Sequence, residues 1–475
     1  MAEVARAPLG SARGRRAVFG RMRPAATRRR PRSWPVPSGR SLILLGGALT
    51  LTVTGTAATH PAPVRAAGSV VGTPASPVRA PAPAHAGPVR QPAAGPTAFR
   101  APAARWTGTW EAAASGTAPG LPGASIRNVV RTSVGGTAVR VRLTNRLGTR
   151  PLAVGAATVA RQAPKGRPGA DARPGTMRVL TFGGRARFTV PPGRDVVSDP
   201  LRMRVPGAAD LLVTVHTPGD PGPATYHRSA LRTTFVATAG NRAADVRGTA
   251  YRVTSRSWYY VTGVDVLGPH PAGSVVALGD SLTDGSGSTP GAHRRWPDRL
   301  AARLRALPPG RRQGVLNAGV AGNRLLLEGR GPSALARFDA DVLSRTGVRT
   351  LIVLEGINDI RSTPNQRDPA VIASAYRELV RRAHTRGIRV LGATLTPFGG
   401  NAGHTRARER VRRSVNRLIR TGRLFDAVVD FDAVVRDPAR PERLLPAYDS
   451  GDHLHLNDAG LRALADSIDP AALRG

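Results

Sequence analysis

The sequence predicts an α/β protein: a parallel, doubly wound sheet with crossover helices, preceded by an all-β sandwich or jelly roll. Two observations carry that expectation. From near Pro269 onward, short apolar runs alternate with stretches whose apolar residues recur at helical spacing. Upstream, residues 105–268 hold short alternating segments punctuated by Gly and Pro, with no convincing helical pattern.

Taken in order, residues 1–58 read as an export segment. Basic clusters at Arg13–Arg16 and Arg28–Arg30 precede an apolar run from Ser41 to about Ala58, and small residues then offer cleavage points near Thr56–Ala58 or Arg65–Ala67. The competing reading is an uncleaved membrane anchor, although the run is short for a bilayer. Residues 59–104 are almost all Ala, Pro, Gly, Val and Arg, which cannot form a core and predict a Pro-rich linker.

Order is expected to begin near Trp106-Thr-Gly-Thr-Trp110. Ser125–Ser133 and Thr137–Asn145 both alternate apolar with polar residues around Gly135-Gly136, which predicts a β-hairpin. Further strands are expected at Met177–Phe182, Ala186–Val190, Asp210–Thr217, Thr233–Ala239 and Trp258–Val264. His227 reads as a surface or packing residue rather than a site member.

Residues 269–475 predict five buried strands at Val275–Leu278, Gly314–Asn317, Thr350–Leu354, Arg389–Thr394 and Ala427–Asp430. Between them, Trp296/Leu300/Leu304/Leu307, Ile372/Ala375/Tyr376/Leu379/Val380/Ala383 and Val411/Val415/Leu418/Ile419 each fall on one helical face. Asn457-Asp458 offers capping chemistry for a last helix carrying Leu461, Leu464, Ala465 and Ile468.

Composition narrows the function classes. The chain has no cysteine, which removes disulfides and thiolate metal sites. The formal net charge of +40 raises nucleic acid as a partner. Two features argue against it. Lys165 is the single lysine in a chain rich in Ala, Gly, Pro and Arg, a bias that looks like codon choice in a GC-rich genome. Aromatic residues make up only 4%, too few for a platform that stacks bases.

The first strand ends in Gly279-Asp280-Ser281-Leu282, which places Ser281 at the carboxyl edge of the sheet, where α/β folds bind ligands. A nucleophilic serine needs a base, and the base needs an orienting group. Asp452 and His455, three residues apart just before the last helix, can supply both. Donors for a developing oxyanion are available after the second strand, at Gly322, and after the third, in the side-chain amide of Asn358. Each segment alone is an ordinary turn; together they share one expected sheet edge. His453 and His455 have too few accompanying carboxylates for a metal pair, and Gly285-Ser-Gly287 lacks the Lys of a phosphate loop.

These four segments resemble the four sequence blocks of the SGNH, or GDSL-type, hydrolase family. Gly279-Asp280-Ser281-Leu282 matches the nucleophile block, Gly322 the glycine of the second, Gly356-Ile-Asn358-Asp359 the third, and Asp452-His453-Leu454-His455 the last. The match covers about residues 270–475, and Leu456 departs from it where relatives often carry proline. The resemblance implies a flavodoxin-like α/β/α domain and ester hydrolysis. It implies Ser281, Asp452 and His455 as the triad, with Ser281, Gly322 and Asn358 around the oxyanion. No metal or cofactor is expected. The N-terminal region resembles the β-domain that precedes the catalytic domain in some secreted actinobacterial members. The resulting expectation is a secreted, monomeric serine esterase acting on acetylated carbohydrate or short-chain acyl esters, with cell-envelope association open. The alternatives are a lipase or phospholipase, or a catalytically weak envelope- or polysaccharide-binding protein.

Overall fold

The computed structural model describes residues 104–164, 169–270 and 272–474. The expected export segment, residues 59–103 of the expected linker, and Lys165 lie outside the described residues.

Five parallel strands form the sheet of the C-terminal half: Ser274–Gly279, Gly314–Gly319, Val348–Leu354, Arg389–Ala393 and Ala427–Val429. Their spatial order, counted along the chain, is 2-1-3-4-5. That is the flavodoxin-like order, whose switch point lies between the first and third strands. Alternation within each strand divides two cores. Val276, Leu278, Leu351 and Val353 face one side, with Ile372, Tyr376 and Leu379 of helix Pro369–His384 and Val415 and Ile419 of helix Arg406–Thr421. Val275, Ala277, Ile352 and Leu354 face the other, with Trp296, Leu300 and Leu304 of helix Trp296–Ala306 and Leu461 and Leu464 of helix Asp458–Ser467. Helices on both faces of a parallel sheet make the three layers expected from the sequence. Asn457 caps the last helix, its side chain accepting the N–H groups of Ala459 and Gly460.

The N-terminal half is mostly strands in sheets. One sheet joins Arg105–Glu111, Val261–Gly268, Gly136–Thr144, Leu201–Val205 and Asp195–Val197. A second large sheet joins Val253–Ser255, Thr234–Ala237, Ser125–Arg131, Asp210–His216, Ala156–Arg161 and Arg178–Val179. A smaller sheet joins Trp258–Tyr259, Ala224–His227 and Gly116–Ala118, and Leu152–Val154 pairs with Phe188–Val190. The two large sheets contribute to one apolar core, including Trp110, Val139, Val141, Val264, Ile126, Val159 and Val213, so they stack as a sandwich.

The expected hairpin at Gly135-Gly136 does not form. Ser125–Arg131 pairs with Asp210–His216 and Thr234–Ala237, whereas Gly136–Thr144 pairs with Val261–Gly268 in the opposite sheet. The chain changes sheets at the two glycines. Glycine is needed there for close approach: a Cβ on Gly135 would lie 2.4 Å from the Val205 carbonyl oxygen and 2.7 Å from the Gly207 nitrogen. Other expected strands are cut short, Ala186–Val190 to Phe188–Val190 and Thr233–Ala239 to Thr234–Ala237 among them. Only Arg178–Val179 of the Met177–Phe182 segment is a strand, and Trp258–Val264 breaks at Tyr260, whose φ of 60° interrupts the extended backbone.

The two halves share an interface. Gly108 N–H donates to the Thr346 carbonyl at 3.0 Å, Ser274 Oγ to the Gly108 carbonyl at 3.0 Å, and Val315 N–H to Ser133 Oγ at 2.9 Å. Charged side chains cross it as well: Arg345 reaches Glu111 at 2.7 Å, and the partly buried Arg146 joins Asp341 at 2.7 Å to Asp195 at 2.6 Å.

Gly135→Ala is expected to destabilise the fold by roughly 1–3 kcal/mol, because the crowding atoms are backbone and cannot move aside cheaply. Thermal unfolding monitored by circular dichroism measures it, and an unchanged midpoint would contradict the close-approach account.

Candidate active site

Ser281 begins the short helix Ser281–Asp284, immediately after the first strand. The Asp280 side chain accepts the Leu282 N–H at 3.0 Å, and Gly285, at φ 104°, ends the helix. The serine is 7% exposed. Leu282 packs into the core beside helix Trp296–Ala306, which pins the turn.

The loop before the last helix straddles the sheet edge. Leu454 packs into one core and Leu456 into the other, so His455 between them is held over the strand ends. Leu456, at the position where relatives often carry proline, is fully buried. His455 Nε2 lies 2.8 Å from Ser281 Oγ, and His455 Nδ1 lies 2.5 Å from Asp452 Oδ2. Asp452 Oδ1 also accepts the N–H groups of Leu454 at 3.0 Å and His455 at 2.8 Å. Burial works against ionisation of Asp452, but these N–H groups and the His455 ring outweigh it and hold the carboxyl at about 2. The Asp452 side chain is 49% exposed, so hydrogen bonds rather than enclosure fix its orientation.

His453 takes no part in this line. Its Nδ1 pairs with Asp449 at 2.5 Å, and its ring lies against Gly400. Among the described residues no group of three or more His, Cys, Asp or Glu is placed to hold a metal ion.

Asn358 is buried beside Asp280. Its Nδ2 donates to the Asn323 carbonyl at 2.9 Å and approaches Asp280 Oδ2 at 3.4 Å, while Arg361 donates to its Oδ1 at 3.3 Å. One amide proton is therefore firmly committed, and the other is held by a long contact only. Gly322 sits in the turn after the second strand with φ 80°. Neither its N–H nor that of Ser281 has a partner among the described residues. Gly322 reaches the cluster through its neighbour Asn323. The structure thus joins Ser281, His455 and Asp452 in one hydrogen-bonded line, with Asn358 and the Gly322 turn beside it.

Several residues around the site had no site role in the sequence reading. Arg337 is buried and ties strand ends together, donating to the carbonyls of Gly279 and Ala318 and to Asn323 Oδ1. Its signal was a charge between Ala334 and Phe338 on an apolar helical face. Asp359 accepts the N–H groups of Leu325 at 2.7 Å and Leu326 at 3.0 Å, which anchors the segment after Gly322. His227 is a packing residue, but one that packs against this site: its Nε2 lies 3.1 Å from Asp284 Oδ1. Nothing in its local sequence reveals a partner 57 residues away.

Residues 277–463 match the model of the GDSL-like lipase/acylhydrolase family. This part of the chain is a GDSL-like lipase/acylhydrolase domain. The GDSL-like domain makes the chain an ester-bond hydrolase. Solved structures similar to it include a lipolytic protein of the G-D-S-L family from Desulfitobacterium hafniense, at 22% identity over 41% of this chain and 96% of that one, TM-score 0.32. An acetyl xylan esterase shows 21% identity over 41% and 96%, TM-score 0.32. An inhibitor-bound aryl esterase from M. smegmatis shows 18% identity over 40% and 94%, TM-score 0.33. No curated protein matches the chain.

Carboxyl groups crowd the GDSL-like domain beneath the serine. Burial pushes Asp280 up to about 6, with the Leu282 N–H and His455 opposing, and burial together with Asp280 raises Glu355 well above the usual carboxylate range. An unfolded Asp280 loses its proton near 3.8, whereas the folded one keeps it to about 6, so folding takes up a proton and stability falls as pH rises through that window. Asp280→Asn is therefore expected to raise the thermal midpoint more at pH 8 than at pH 3.5. Calorimetry at the two pH values measures this, and an equal shift at both would contradict it.

Proposed function

We propose that the chain is a serine esterase working through an acyl-enzyme. Ser281 Oγ attacks the ester carbonyl as its proton passes to His455 Nε2. The negative Asp452 holds Nδ1–H and stabilises the imidazolium that forms. The carbonyl oxygen becomes an oxyanion facing the N–H groups of Ser281 and Gly322 and the Asn358 amide. The C–O bond to the alcohol then breaks, and the alcohol leaves with the proton from His455. Water next attacks the acyl-enzyme, His455 takes its proton, and the acid departs as Ser281 recovers its hydrogen. The single observation that carries this reading is the unbroken line from Asp452 through His455 to Ser281, at 2.5 and 2.8 Å.

For substrate, the reading favours a short acyl group, on acetylated carbohydrate or another small ester. The support is the absence of a long apolar lid segment between the four blocks. We also propose that the protein is exported, on the basic and apolar layout of residues 1–58.

Ser281→Ala is expected to lower p-nitrophenyl acetate turnover by at least about 10³-fold with the thermal midpoint unchanged. Asn358→Ala is expected to cost about 10²–10³-fold in kcat. Turnover at the wild-type rate in Ser281→Ala would remove the triad assignment. A series of p-nitrophenyl esters and acetylated glycans reads the acyl preference; faster hydrolysis of long chains would favour the lipase reading. Export is checked by N-terminal sequencing of protein from the culture medium, with cleavage expected near Thr56–Ala58 or Arg65–Ala67.

A further inference from the structure

His227 belongs to the β-rich half, in strand Ala224–His227, yet it sits directly behind the candidate active site. The His227 and Asp284 side chains are each only 3% exposed. Nδ1 of His227 lies 2.8 Å from the Ala113 carbonyl, and Nε2 lies 3.1 Å from Asp284 Oδ1. A carbonyl oxygen can only accept, so Nδ1 carries a hydrogen, and Nε2 donates as well when it faces an ionised carboxylate. Burial works against a charged ring at His227, but Asp284 and the Ala113 carbonyl outweigh it and raise the pKa.

The other oxygen of the same carboxylate has a second task. Asp284 Oδ2 accepts the Ala321 N–H at 2.9 Å. Asp284 closes the short helix that Ser281 opens, and Ala321 immediately precedes Gly322. One buried carboxylate therefore links the end of the Ser281 helix, the turn that carries Gly322, and a histidine from the β-rich half. The histidine is itself held in place. Arg228 N–H donates to Ser115 Oγ at 2.8 Å, Ser115 N–H to the Tyr226 carbonyl at 2.9 Å, and the Trp258 ring lies 5.4 Å from the imidazole.

We propose that His227 is a positioning residue for oxyanion stabilisation: it holds Asp284, and Asp284 holds the Ala321–Gly322 turn at its distance from Ser281. The β-rich half then completes the active site rather than only carrying it to a substrate. This inference rests on the assignment of Ser281 as nucleophile and Gly322 as an oxyanion donor. A free carboxylate at Asp284 could rotate, and a shift of a few tenths of an ångström in the Gly322 N–H weakens a donor that acts only in the transition state. The consequence falls on kcat rather than on KM.

Two near-isosteres separate the ring nitrogens. Glutamine places an amide nitrogen near Nε2 and retains the donor to Asp284, whereas asparagine places one near Nδ1 and retains only the bond to Ala113. In the full chain, His227→Asn is expected to lower kcat on p-nitrophenyl acetate roughly 10- to 100-fold with KM within about threefold, while His227→Gln keeps at least about a third of wild-type kcat. A purely structural role predicts no such split, and equal kcat in the two folded variants overturns the proposal. Should His227→Asn fail to fold, Asp284→Ala carries the test. It removes both carboxylate oxygens, so His227 and Ala321 each lose their partner. The same kcat-selective loss is expected, and wild-type kcat in folded Asp284→Ala overturns the proposal. Ser281→Ala assayed alongside keeps the two readings apart. If it remains active, the nucleophile assignment fails and takes this inference with it. If it is inactive while His227→Asn matches wild type, this inference alone fails.

Discussion

The proposed chemistry depends on one long closure: His455 returns across 174 residues to meet Ser281. Bringing such distant points together costs about 5 kcal/mol of chain entropy beyond a constant, while a single hydrogen bond contributes roughly 1 kcal/mol. The 2.8 Å contact therefore reports the closure and does not cause it. The sheet causes it. Five parallel strands place the carboxyl ends of the first three side by side, and the final loop is clamped across them by Leu454 in one core and Leu456 in the other. Each buried leucine contributes on the order of 1.5–3 kcal/mol, so the two together are of the same order as that cost. His455 is aimed because its two neighbours are buried on opposite sides.

The same economy of position explains the buried charge. A continuous polar path runs from Glu111 in the β-rich half through Arg345, Asp341 and Arg337 to the carbonyl of Gly279, the second residue before Ser281. His227 and Asp284 make a second buried contact between the halves. Buried ion pairs add little net stability, because desolvation consumes most of their attraction, but breaking one leaves a costly orphan charge. Their effect is to penalise any docking of the two halves that leaves a partner unmatched. The turn that carries Ser281 is thereby braced from two halves of the chain.

Much of the fold was readable along the chain because periodicity is a local property. All five parallel strands and the helices carrying Trp296, Ile372, Val415 and Leu461 lie where their apolar spacing puts them. The β-rich half was harder. Ser125–Arg131 and Gly136–Thr144 both alternate correctly, but alternation identifies a strand without naming its neighbour. Gly135-Gly136 looked like a hairpin because glycine serves tight turns and close backbone approaches equally well. The site divides in the same way. Ser281, Gly322, Asn358, Asp452 and His455 stand in recognisable local blocks, whereas Arg337, Asp359 and His227 owe their roles to partners distant in sequence.

By itself the sequence determined the layered fold, the ester chemistry of its GDSL-like half and the side chains available for that chemistry, because strand and helix periods and short turn motifs are written in neighbouring residues. Only the tertiary structure decided how His455 is held, between a leucine in each core, and that His453 turns to Asp449. It also decided which sheet each N-terminal strand joins, and that a histidine of the β-rich half is buried against Asp284. The reason is physical: a hydrogen bond or buried ion pair depends on distance and desolvation, and both are set by packing between segments that the linear order keeps apart.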